Sequence, residues 1–325
     1  MSDRSDATSP QGEELVALLE GPPPDRLPDS CRAVPLEGCT AIAAPSPERS
    51  PPRGLQARGP RAIRRMVAEA ALVRQRRLEG LPTDRAMLPC APRTPVPTRP
   101  GDLAIANADI LASGFGRVRG RQQYQIVVTA TEPGIARDGL APAVQRAAAL
   151  ALLPLADDTI SHPVDADTLL NVTLLMDGAR APHLDGALEQ IDAIRPDGLR
   201  VRLIGPGPAV SFALARLTLV PLTACRAAAA MLGATDDAPP ALESLRGLRR
   251  AALKRAGMPD RTGRHDGPAP SDIEAAVALL GAMARIAAVH GGMVPAEVVQ
   301  VPVLDISREA PASTTAVAPA RARVA

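Results

Sequence analysis

Aromatic side chains are almost missing from this chain. Only Phe115, Tyr124 and Phe212 occur in 325 residues, and there is no tryptophan. Aromatics bury the largest apolar area per residue and dominate most cores. Without them a core has to be assembled from Ala, Leu, Val and Ile. A buried Leu or Val contributes roughly 1.5–3 kcal/mol, and an alanine less. Stability must then come from many small contacts spread over several elements, and such a core is either loose or completed by a partner. Size is no obstacle, because 325 residues suffice for one large or two ordinary domains. The hydrophobic fraction, 46%, is that of a globular chain.

Charge excludes one class of partner. The 37 Lys and Arg against 35 Asp and Glu leave a formal net charge of +2. A nucleic-acid binder would need a basic stripe and stacking aromatics, so no nucleic-acid partner is expected. Basic clusters do occur, at Arg61, Arg64, Arg65, Arg74, Arg76 and Arg77, and again at Arg246, Arg249, Arg250 and Lys254. They read as the wet faces of amphipathic helices. The cysteines Cys31, Cys39, Cys90 and Cys225 form no C-x-x-C pair, and His162, His183, His265 and His290 add no zinc spacing, so no metal or other cofactor is expected. Free thiols in a reducing cytoplasm are the expectation. The first residues, MSDRSDATSPQGEE, are polar and acidic and do not read as a secretory signal. No apolar run approaches the roughly 20 residues of a bilayer span, so no membrane insertion is expected.

Punctuation by Gly and Pro divides the rest. Residues 1–12 are expected to be a disordered arm. Residues 13–19 read as a strand, and 31–36 with 40–44 as a hairpin. Residues 45–60 are a Pro/Ser/Arg-rich loop. Pro60 opens a helix that ends at Gly80. Residues 87–89 form a brief strand, Asp102 caps a helix over 103–112, 114–120 is a loop, and 122–130 alternates as a strand. A break over 131–140 separates two halves. Helices are predicted over 141–153 and 181–194, and strands over 169–176, 199–204 and 212–219. Alanine-rich helices follow at 223–232, 241–256 and 271–289, then an edge strand over 298–306. The strand–helix–strand–strand order of 169–219 implies an α+β sandwich, helices on one face of a mainly antiparallel sheet. The partition expected is an N-terminal α+β domain over 13–135, a C-terminal α+β domain over 136–220, a helical portion over 221–306 packing on the preceding domain, and a flexible tail over 307–325.

Motifs that tempt a chemical reading fail on context. GFGRVRG (114–120) imitates a phosphate loop, but a helix precedes it, a strand follows, and no GK[ST] occurs. The corner VRLIGPGPAVSF (201–212) has prolines that remove the donors a phosphate cradle needs. Ser211 lies in no G-x-S-x-G elbow. Asp157, Asp158, His162, Asp165 and Asp167 make an acidic patch in a polar loop with nothing rigid to fix metal geometry. No active site emerges.

The segment NVTLLMDGARAPHLDGALEQIDAIRPDGLRVRLIGPGPAVSF (171–212) resembles the C-terminal half of the gas vesicle GvpF/GvpL family. That family carries an N-x-x-[YF]-L-V strand, a helix, and then a GPWPPYSF signature. Asn171 with the strand 172–176 matches the first element, and Gly205, Pro206, Pro208, Ser211 and Phe212 match the last. More loosely, the helix after Pro60, Leu88-Pro89, the helix at 103–112 and the stretch from Gly120 to Val127 align with the family's N-terminal pattern. The resemblance covers about residues 13–220. Gly207 and Val210 replace signature aromatics, Cys90-Ala91-Pro92 stands where the family has Arg-Phe-Gly, and Gln123 replaces an acidic residue.

The resemblance implies two modified ferredoxin-like α/β sandwich domains with an α-helical C-terminal portion. It implies a non-catalytic accessory protein of gas vesicle assembly, cytoplasmic and vesicle-associated. Such a protein binds the small shell protein GvpA early in vesicle formation, alongside other accessory proteins, and can be a minor vesicle component. Asn171, Gly205, Pro206, Pro208, Ser211 and Phe212 are its signature residues, with no cofactor implied. A chaperone-like role suits a shell protein whose exposed apolar faces need covering. One alternative is a co-chaperone-like adaptor, because Met258-Pro259-Asp260 between two helices faintly resembles a J-domain that has lost its histidine. A second is an enzyme with an unrecognised site.

Overall fold

The structure is a computed structural model that describes residues 12–46, 60–131, 139–165, 167–195, 197–234, 240–257 and 268–308. Residues 1–11 of the expected arm, 309–325 of the expected tail, most of the 45–60 loop and the Met258-Pro259-Asp260 motif lie outside the described residues. In chain order the first elements are β1 (Glu13–Glu20), β2 (Arg32–Pro35), β3 (Cys39–Pro45), α1 (Pro60–Glu79), β4 (Met87–Pro89), α2 (Pro100–Ala106) and α3 (Ala108–Val118). Next come β5 (Arg121–Ala130), α4 (Leu140–Leu152), β6 (Asp158–Ser161), β7 (Thr168–Asp177), a 3₁₀ turn (Gly178–His183), α5 (Leu184–Asp192) and β8 (Leu199–Gly207). The chain closes with β9 (Leu214–Pro221), α6 (Leu222–Leu232), α7 (Leu242–Ala256), α8 (Pro270–Val289) and β10 (Gln300–Ser307). The mixed α/β class with antiparallel sheets is as expected.

Internal contacts divide the chain into two units, Met1–Arg117 with Ala215–Ile306, and Val118–Leu214 with Ser307–Ala325. In the first, one sheet runs β2-β3-β1-β4 with every pair antiparallel. Residues 15–19 and 41–44 are buried on both faces, which is why these strands read as continuous apolar runs rather than alternating ones. A second core joins Ala106 of α2 to Leu232, Leu245, Leu280 and Val301, drawn from α6, α7, α8 and β10. α8 is apolar nearly all round and forms the centre of this helical layer.

In the second unit the sheet runs β6-β7-β5-β8, again with antiparallel pairs only. Counted within each sheet, both four-stranded sheets show the order 2-3-1-4. The second unit has the full β-α-β-β-α-β succession, whereas in the first a loop replaces the helix between the opening two strands. Tyr124, Ile126 and Val128 alternate along β5 onto the helix-covered face. There they meet Leu140, Val144, Ala148 and Leu152, the every-fourth-residue stripe of α4, and Leu184, Ala187 and Ile191 of α5.

This division follows a different line from the one drawn on the sequence. A boundary at 135 would cut β5 away from β7 and β8, both of which pair with it. Residues 221–306, expected on the domain formed by 136–220, group instead with the N-terminal segment. The tie is Asn107, only 1% exposed, which accepts a hydrogen bond from the Leu304 N–H and donates to the Pro302 and Leu103 carbonyls, all at 2.9 Å. Asn107 also marks the break between α2 and α3, where the sequence suggested a single helix over 103–112. Asp102 consequently lies in the first turn of α2 rather than capping it. The supposed loop 114–120 is mostly the end of α3. A Cβ on Gly114 would collide with Ile306 Cδ1 and lie 3.1 Å from Leu88 Cδ1, so this glycine serves close packing.

Candidate functional site

The signature residues stand on one corner of the second unit, built from β8 and the turn after it. β8 pairs with β5 from Ala130↔Leu199 to Gln125↔Ile204, after which the register shifts so that Gln123 faces Gly207. Gly205 occupies that bulge at φ +132°, a conformation that favours glycine. A Cβ there would lie 2.7 Å from the Gln123 carbonyl oxygen, so the close approach of the two backbones also requires glycine. The Gly205–Pro206 peptide is cis. Pro206 can sit in β8 because the strand lies at the sheet edge, where a missing N–H breaks no ladder.

Beyond Gly207 the chain closes into a short turn. The Val210 N–H donates to the Pro208 carbonyl at 2.8 Å, and the Phe212 and Ala213 N–H groups donate to the Ala209 carbonyl at 3.1 and 3.0 Å. The Ser211 N–H reaches out of the turn to Gln123 Oε1 at 2.9 Å. Phe212 is fully buried at 0% exposure, between the buried Ala209 and Ala213. Ser211 is thus part of the turn, and Phe212 is the large side chain buried beside it. The expectation that a strand begins at Phe212 does not hold, because β9 starts at Leu214 and pairs with β10.

Gln123 is the residue that sequence reasoning undervalued. In sequence it stands out only as a departure from an acidic family position, yet its carbonyl bounds Gly205 and its side-chain oxygen accepts the Ser211 N–H. The clue was its place on β5, because a side chain that caps a remote turn leaves no local pattern. Asn171 is not part of this corner. It lies on β7 opposite Val127 and accepts a hydrogen bond from Gln125 Nε2 at 2.9 Å, while its carbonyl takes the His162 N–H at 2.9 Å.

The acidic patch proves to be structural. Asp157 pairs with Arg121 at 2.8 Å and Arg180 at 3.4 Å, and Asp158 pairs with Arg308. His162 Nε2 lies 2.7 Å from Thr173 Oγ1, and Asp165 accepts from the Thr168 N–H at 2.9 Å. Part of this stretch is strand β6 rather than loop. Among the described residues no group of three metal-ligating side chains forms. No described helix is long and apolar enough to cross a membrane.

An open groove of about 540 Å³ in the first unit is lined by Ile105, Leu111, Phe115, Leu242 and Val289, with Glu37 and Arg285 among its polar groups. Its thiol, Cys39, is pushed up to about 11 by burial, so it stays protonated near neutrality and lacks the activation of a catalytic cysteine.

The fold and this corner define a mixed α/β protein whose most distinctive residues shape backbone. Its relatives are seen in sequence: the model of the family described as gas vesicle synthesis protein GvpL/GvpF matches residues 135–214. On that segment, about a quarter of its length, the chain is similar to the GvpL/GvpF family. The matched segment holds the whole signature corner but not β5 or anything before it, so the looser N-terminal resemblance is not part of the match. No curated protein matches the chain. Among solved structures, gas vesicle protein GvpF from Anabaena sp. is similar at 15% identity and a TM-score of 0.46, covering 60% of this chain and 95% of that one. GvpF from Microcystis aeruginosa is similar at 14% identity and a TM-score of 0.42, covering 59% of this chain and 94% of that one.

Proposed function

We propose that this protein is a non-catalytic accessory factor of gas vesicle assembly that binds the small shell protein GvpA during early vesicle formation. The observation that carries the reading is the GvpL/GvpF match over residues 135–214, which includes Gly205, Pro206, Pro208, Ser211 and Phe212. Those residues build a rigid corner, which supports a role in presenting a surface rather than in chemistry. The protein acts in the cytoplasm at the nascent vesicle, alongside other gas vesicle accessory proteins. Its two units are modified ferredoxin-like sandwiches, in keeping with their shared strand order.

The test is co-purification of the full chain with tagged GvpA from vesicle-forming cells, paired with deletion of its gene. Retention of the protein on GvpA and loss of vesicles are the expected results. Normal vesicles in the deletion strain together with no retention would overturn the assembly role.

A further inference from the structure

β8 ends its sheet, so one side of the strand has no neighbour in the sheet. In an antiparallel ladder every second residue turns its N–H and C=O away from the existing partner, ready for another strand. Arg200, Arg202, Leu203, Ile204, Gly205 and Pro206 are all exposed along it. Leu203 and Ile204 leave 37% and 39% of their surface to solvent, unusual for aliphatic side chains within a strand.

The charges on this edge are one-sided. Arg200 and Arg202 share a face of the strand, two residues apart. Their cross-strand partners on β5 are Thr129 and Val127, and β5 contains no Asp or Glu, so nothing opposite them in the sheet can neutralise them. An added strand on the free side would bring carboxylates within reach of that row. A second copy of β8 would fit poorly there. An antiparallel copy centred on Val201 sets Arg200 against Arg202, and one centred on Arg202 sets Arg202 against itself, and directly opposed like charges are destabilising. Pro206 and Pro208 stop pairing at the far end by lacking N–H donors. The open stretch is therefore residues 199–204, about six residues long.

We propose that β8 is a strand-addition edge that takes an extended segment of another protein, one carrying carboxylates at alternate positions and aliphatic side chains between them. Main-chain hydrogen bonds to 199–204 hold the segment, its carboxylates pair with Arg200 and Arg202, and its aliphatic residues cover Val201 and Leu203. Pro206 and the bulge at Gly205 fix where the added strand must end. This deepens the assembly reading and rests on it for the biological partner. The test below uses no gas vesicle protein, so its failure is distinguishable from failure of that reading.

The probe is the synthetic peptide acetyl-Thr-Val-Glu-Val-Glu-Val-Thr-amide, with a counterpart carrying lysine in place of each glutamate. Each is added to the full-length protein, and amide hydrogen exchange is followed residue by residue. The glutamate peptide is expected to slow exchange within 199–204, with an apparent affinity about threefold or more above the lysine peptide, as two cross-strand ion pairs supply. Raising salt should shrink that preference. The Arg200→Glu/Arg202→Glu variant, altered only at exposed positions, should keep its melting temperature and prefer the lysine peptide. Protection elsewhere in the chain, protection by neither peptide, or equal protection by both with no reversal in the variant would each overturn the proposal.

Discussion

Gly205 and Phe212 stand seven positions apart and meet opposite demands, one for the absence of a side chain and one for the largest available. At Gly205 an alanine would combine a disfavoured φ with a 2.7 Å contact to the Gln123 carbonyl. Gly205→Ala is expected to destabilise the second unit by about 1–3 kcal/mol, read as a lower urea midpoint with little change in slope. Phe212 is a fully buried aromatic in a chain nearly without them, and Phe212→Ala should cost about 3–5 kcal/mol. An unaltered melting temperature in that variant would mean the ring is not a packing anchor. Cys90 gives a pH-dependent counterpart in the first unit. Burial pushes its thiol from 9.0 up to about 12. The unfolded chain therefore loses this proton above pH 9 while the folded chain keeps it until about pH 12. The contribution to stability is intact below pH 9 and shrinks between those limits, by about 1.4 kcal/mol per pH unit. Denaturant midpoints of the parent protein and Cys90→Ala should converge as pH rises from 8 to 11. Parallel curves would contradict the assignment.

Elements were legible wherever one residue's neighbours in sequence decide its state. α6, α7 and α8 begin within a residue of the predicted starts, because alanine-rich stretches bounded by Gly and Pro leave little alternative. β5 announced itself through alternating Tyr124, Ile126 and Val128. Errors arose where a remote group decides. Asn107 breaks α2 from α3 in order to bond β10, nearly two hundred residues away, and no local window contains that fact. Gly114 looked like loop punctuation because Leu88 and Ile306, which crowd it, are distant in sequence. β6 reads as part of an acidic loop, since the Arg308 that pairs with its Asp158, and the Arg121 and Arg180 that pair with Asp157 just before it, lie elsewhere in the chain. The candidate corner was visible as a Gly-Pro motif, whereas its clasp by Gln123 was not. Asn107 offers the direct check on this explanation. Asn107→Leu leaves the Leu304 N–H and the Pro302 carbonyl without their partner, at about 1–3 kcal/mol for each buried group. Thermal unfolding should show that loss, and exchange of the Leu304 amide should accelerate most. A variant with wild-type protection at Leu304 would show that the side chain does not hold β10.

At the scale of the whole molecule, the chain leaves its first unit at Val118, returns to it at Ala215 and leaves it again after Ile306, so the second unit is built mainly from an inserted segment with its own sheet and core. Each unit has a four-stranded sheet whose strands pair within that unit. Two partitions of the chain then make opposite claims. If the contact division is the physical one, residues 118–214 expressed alone should fold, with β5 central in a four-stranded sheet and α4 and α5 covering one face. Residues 136–306 should not fold, because they lack β5, the strand that β7 and β8 share, and lack α2, whose Ala106 completes the helical core. Circular dichroism with urea unfolding distinguishes the cases. A single cooperative transition for 118–214 and a broad, non-cooperative one for 136–306 is expected. The reverse pattern would restore the division read from sequence, with the C-terminal helices belonging to the domain before them. Because the signature corner lies within 118–214, the folded fragment would also carry β8 and its open edge in isolation from the helical layer.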